Sequence, residues 1–105
     1  MKELHSIIQQ DLTHCLISGR TDVDIHEIFG GTANREKSQE DGLIVALSHD
    51  EFHENGKDSV HMNGTVKTWA HIAGELAWIA ENQLPFESRE SCIKRFRIRY
   101  GKNYL

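Results

Sequence analysis

Between Asp24 and Asn63 the chain gathers side chains that bind metal ions and move protons. His26 and Glu27 end the alternating run Val23-Asp24-Ile25, and a glycine pair, Gly30-Gly31, lies just beyond. Farther on, His49, His53 and His61 stand among Asp50, Glu51, Glu54 and Asp58. Imidazole and carboxylate together suit a borderline divalent cation. The same residue types also solvate loops well, so an ordinary surface loop is the rival reading.

Two strands would have to hold these groups. Val23 and Ile25 alternate with Asp24 and His26, which predicts a short strand with His26 near its end. Leu43 to Leu47 is a continuous apolar run and predicts a buried strand, the two forming an antiparallel pair. Residues 32–41 are polar and read as an exposed loop or one frayed helical turn. Upstream, Leu4, Ile7, Ile8 and Leu12 recur at helical spacing and predict an amphipathic helix within residues 1–14.

Downstream, Asn63 or Thr65 can cap a helix over about 64–82. Its apolar side carries Val66, Trp69, Ile72, Ala73, Leu76, Ala77 and Ala80. Gly74 costs that helix about 1 kcal/mol relative to alanine, but allows close packing. Trp69 and Trp78 are both expected in a core or an interface. Pro85 ends the helix, and a last one follows over 87–98 with Cys92, Ile93 and Phe96 inward. His5, His14 and His71 fall on predicted helices away from the cluster, and His49 reads as a solvated loop residue.

With 105 residues the chain makes about one domain with a modest core. A net charge of -4 argues against indiscriminate polyanion binding, so any nucleic-acid surface must be local or helped by a cation. The local candidate is Lys94-Arg95-Phe96-Arg97-Ile98-Arg99-Tyr100-Gly101-Lys102, where five of nine residues are cationic. Its rival reading is a solvated helix face. Arg35 and Lys37 in the loop between the strands would add contacts, as would Arg20. Cys15 and Cys92 form no C-x-x-C pair, which excludes a four-cysteine zinc site and disfavours a disulfide framework. There is no signal-peptide pattern and no run of the ~20 apolar residues that a membrane span requires, so a cytoplasmic protein is expected.

A histidine closing one strand, then a loop, a second strand and further histidines resembles the HNH endonucleases, which build a ββα-metal site in this order. More closely, the chain resembles small phage HNH-like proteins related to RecA-dependent recombination-enhancement nucleases. The matching residues are Cys15, Ser18-Gly19-Arg20-Thr21, Ile25-His26, Ile28-Phe29-Gly30-Gly31, Asn34-Arg35, Gly42-Leu43-Ile44-Val45 and Leu47. They continue with His53, Val60-His61, Asn63 and the ending Tyr100-Gly101-Lys102-Asn103-Tyr104-Leu105.

The resemblance implies an α+β fold with a ββα-metal region over 15–63. The first helix, within 1–14, lies outside the resemblance and comes from periodicity alone, and two helices with a basic tail follow over 64–105. It implies His26 as first metal ligand, His53 as closing ligand, and Glu27 at the general-base position. There the family carries a second histidine, and after His53 it commonly carries asparagine where this chain has Glu54. Imidazole titrates near 6.5 and suits proton abstraction at neutral pH, whereas glutamate near 4.3 is the weaker base. Three further roles stay open. Glu27 and Glu54 could be ligands, Asp24 could be a ligand with His26 as base, and His61 could replace His53 or orient it.

The leading expectation is therefore a DNA endonuclease using one divalent ion (magnesium, manganese or zinc), inside a host cell if the chain is phage-derived. The alternatives are a non-catalytic module that binds DNA or a recombination protein, and a metal-binding interaction domain.

Overall fold

The computed structural model describes residues 4–54, 56 and 59–105; the side chain of Glu54, and Asp58, lie outside the described residues. The architecture is α+β. Strand β1 (Val23–Glu27) pairs antiparallel with β2 (Ile44–Ser48), and helices α1 (Asn34–Asp41), α2 (Gly64–Asn82) and α3 (Arg89–Tyr100) pack around them. A π-helical turn, His49–Glu54, follows β2 directly.

The register sets His26 opposite Val45 and Asp24 opposite Leu47. Side chains alternate along a strand, so Asp24 and His26 share one face and Glu27 starts on the other. Every residue of β2 is buried, as its apolar run predicts.

Residues 4–14 form no helix, which corrects the expectation drawn from Leu4, Ile7, Ile8 and Leu12. The physical reason lies at the open edge of β2, whose backbone groups need partners once buried. This segment supplies them. Ile7 N–H donates to Gly42 O at 2.9 Å, the Ser6 hydroxyl to Ile44 O at 2.6 Å, and Leu16 N–H to Ala46 O at 2.8 Å. Ala46 N–H in turn donates to the Gln9 side chain at 2.8 Å. Ser6 and Asp11 also accept from N–H groups two residues ahead, a local turn chemistry that competes with helix.

The opposite correction falls on residues 32–41, where a full helix replaces the expected loop. Helix α1 is polar on all sides, so its pattern gives no sign of it. Tertiary bonds hold it instead. The Ser38 hydroxyl donates to Phe29 O at 2.8 Å and accepts from Phe29 N–H at 3.1 Å, and Asn34 donates to Tyr100 O at 3.1 Å.

Helix α2 matches its predicted span, with the Asn63 side chain accepting from Thr65 and Val66 N–H. Gly74 is required by packing, since a Cβ there would meet Ile28 Cγ2 at 2.7 Å. Trp78 is buried, but Trp69 is 67% exposed, which corrects the expectation that both are covered. Helix α2 turns only one stripe inward, and Gly74, Glu75, Trp78 and Ile79 occupy it. Phe29 forms the centre of the core, in ring contact with Phe96, Tyr100, Tyr104 and His71. No helix among the described residues is long and apolar enough to cross a membrane.

Candidate metal centre

His26, one residue before the end of β1, is buried on the face that the next segments cover. The π-helical turn brings His53 over that face, and the stretch before α2 brings His61. One nitrogen from each of His26, His53 and His61 lies within 4.8 Å of the other two. The ring centroids are 5.2 Å apart for His26–His53 and His26–His61, and 4.7 Å for His53–His61.

These residues fit a metal ion on three grounds. First, His53 Nε2 and His61 Nε2 are 3.1 Å apart. Two nitrogens on a tetrahedral zinc, with bonds of about 2.0–2.1 Å, stand about 3.3 Å apart. Second, burial lowers the His26 pKa to about 3, with His53 and His61 adding to the effect. At neutral pH His26 is therefore uncharged, and its lone pair is available to an ion. Third, Asp24 Oδ2 lies 3.0 Å from His53 Nδ1. A carboxylate on that nitrogen fixes the tautomer and leaves Nε2 as the ligand atom, an arrangement typical of metal-binding histidine.

Asp24 thus stands behind the cluster as an orienting group, not within it. His49 is exposed, as expected, and its Nδ1 also meets the same Asp24 oxygen, which ties it to the site. Hydrogen bonds from His49 and then His53 hold the Asp24 carboxyl below its usual pKa.

The three histidines open onto a cleft of about 500 Å³. Glu27 borders it, and its Oε1 accepts from Gln39 Nε2 at 3.0 Å. Gly30, Arg35, Lys67 and His71 also line it. A place on α2 predicts His71 away from the cluster; the structure instead stacks it on Phe29, with centroids 5.4 Å apart, at the cleft wall. Burial lowers its pKa, helped by Lys67 and Lys102. The available signal is its helical spacing from Lys67, which lies one turn earlier on the same face.

The basic C-terminal run is not brought to the cleft as a single cationic patch. Arg95 is paired with Glu87 at 2.7 Å. Arg99 is paired with Asp41 at 2.6 Å and Glu40 at 3.1 Å. Lys37 Nζ donates to Arg99 O at 2.8 Å, and Lys102 lies over the Tyr104 ring. Arg20, similarly, is paired with Asp22. Lys94 and Arg97 are exposed on α3.

Comparison with known protein families, with curated proteins and with solved structures finds no match. The chemistry of the site therefore rests on its own geometry.

Proposed function

We propose that the chain is an HNH-like ββα-metal endonuclease that hydrolyses DNA phosphodiester bonds with one divalent ion. The observation that carries this reading is the convergence of His26, His53 and His61 at an open cleft that Glu27 also lines. Three imidazoles favour zinc over magnesium and manganese, which prefer oxygen ligands. A bound ion would supply charge stabilisation to a phosphoryl oxygen and to the leaving oxygen.

The chain's own residues do the rest. Asp24 holds His53 in orientation through Nδ1. Glu27 takes a proton from the attacking water as general base. Gln39 fixes one oxygen of the Glu27 carboxylate, leaving the other for that transfer.

A second reading has a specific observation behind it. Glutamate is in general a weaker base than imidazole, and one Glu27 oxygen is already engaged by Gln39, which favours a module that binds DNA or a recombination protein without cutting. Incubating metal-loaded protein with single- and double-stranded DNA separates the two readings. The nuclease reading expects cleavage that His26→Ala and His53→Ala abolish. Binding without cleavage under zinc, manganese and magnesium would replace it with the second reading.

A further inference from the structure

We propose that the cleft holds a phosphate-binding subsite between Gly30 and Arg35 on one side and Lys67 on the other, and that this subsite, not α3, carries the contact with a nucleic-acid strand. The proposal rests on the DNA reading above and deepens it.

Charge gives the first argument. Several cations expected to meet DNA are already engaged within the protein, Arg95 and Arg99 by carboxylates and Lys37 by a backbone carbonyl, which leaves only Lys94 and Arg97 of that set exposed on α3. Arg35 and Lys67 line the cleft, and neither has an ion pair or side-chain hydrogen bond among the described residues. Glu27 is the single acidic residue lining the cleft among those residues, and Gln39 engages it. In a chain of net charge -4, a cleft whose cations lack carboxylate partners stands out as a place for a polyanion.

Shape gives the second. Gly31 has a φ of +89°, so its backbone calls for glycine. Gly30 has no such requirement, and nothing lies within 4 Å of where its Cβ would sit. Neither backbone conformation nor packing demands glycine there. What its missing side chain does is leave the cleft floor open to a ligand. The N-terminal turn of α1 begins beside this floor with Asn34 and Arg35, which places the Arg35 guanidinium at the cleft.

The test measures binding of a fluorescent decathymidylate to the full chain across a salt series, once with zinc and once with EDTA. Variants are Arg35→Gln/Lys67→Gln, Gly30→Ala, and Lys94→Gln/Arg97→Gln on α3. The cleft pair should weaken binding about tenfold or more and flatten the slope of log affinity against log salt by about 0.7 for each phosphate no longer neutralised. Gly30→Ala should weaken binding with an unchanged melting temperature, and the α3 pair should leave affinity and slope as in wild type. A methylphosphonate decathymidylate, which lacks backbone charge, should bind none of the proteins.

An unchanged slope in the cleft pair, or a loss of slope confined to the α3 pair, would overturn the subsite. Tight binding of the uncharged strand would do the same. Failure of the nuclease reading is a separate result: it appears as absent cleavage under zinc, manganese and magnesium by a protein whose strand binding still depends on Arg35 and Lys67.

Discussion

Asp24 Oδ2 lies 3.0 Å from His53 Nδ1 and also meets Nδ1 of His49, so one carboxylate braces two imidazoles at the base of the cluster. His53 is the one that reaches the other ring nitrogens. Replacing such an outer carboxylate commonly costs 10–100-fold in metal affinity. Asp24→Asn should therefore weaken zinc binding by about that factor, read by competition with a chromophoric chelator, while His49→Ala should change it far less. Wild-type affinity in Asp24→Asn would show that His53 needs no such brace.

Asp41 joins α1 to both later helices. Its carboxylate accepts from Trp78 Nε1 at 2.9 Å, from Arg99 Nε at 2.6 Å and from the Tyr100 hydroxyl at 2.6 Å. Asp41→Ala strands the Trp78 donor in a buried setting, while the Tyr100 hydroxyl keeps Lys37 O as an acceptor at 3.1 Å and Arg99, about a third exposed, recovers water. A loss of about 1–3 kcal/mol follows from the stranded Trp78 donor, with little from the ion pair itself. Urea denaturation measures it, and a change below about 0.5 kcal/mol would remove Asp41 from the structural account.

What is legible in the sequence divides along physical lines. The apolar runs make Ile44 to Leu47 and the span of α2 visible from spacing, but the stripe α2 buries, Gly74, Glu75, Trp78 and Ile79, is not the one through Trp69, Leu76 and Ala80 that spacing picks out. The segment holding Leu4, Ile7 and Ile8 carries a helical pattern too, but its backbone is taken up by the edge of β2 at Gly42, Ile44 and Ala46. Helix α1 has no apolar face, and the Ser38–Phe29 bonds that hold it are invisible to periodicity. In the site, His26, His53 and His61 stand out by residue type. The pairing of Asp24 with His49 and His53 depends on the strand register and the π-helical turn, which composition does not reveal.

The ion pair between Glu87 and Arg95 gives acid sensitivity of a defined sign. Hydrogen bonding from Arg95, then from Leu84 N–H, lowers the Glu87 pKa to about 2. The unfolded chain holds it near the reference value of about 4.3. The pair's contribution is present above that value and is lost as pH falls through about 2. The gap in urea midpoint between wild type and Glu87→Gln should therefore be widest above about pH 5 and narrow as the solution is acidified toward pH 2. A gap that stays constant with pH would show that the carboxylate's charge is not what the pair contributes.

Glu27 gives the sharpest test of the catalytic reading, because it occupies the base position with the less suitable group. Histidine there would be neutral and basic at pH 7, whereas a glutamate bonded to Gln39 has one oxygen fewer for proton transfer. If the cleft is otherwise competent, Glu27→His should raise the metal-dependent rate of DNA cleavage. General-base catalysis is commonly worth about 10²–10⁴-fold, so even partial restoration is measurable. Glu27→Gln, which keeps the shape and removes the base, should fall below wild type. Equal cleavage by wild type and Glu27→Gln would take Glu27 out of the proton transfer altogether. A wild type faster than Glu27→His, with Glu27→Gln inactive, would instead make the glutamate an adapted base or a ligand, and zinc titration of Glu27→Gln decides between those two. Unchanged affinity assigns it proton transfer, and weakened affinity assigns it the ion.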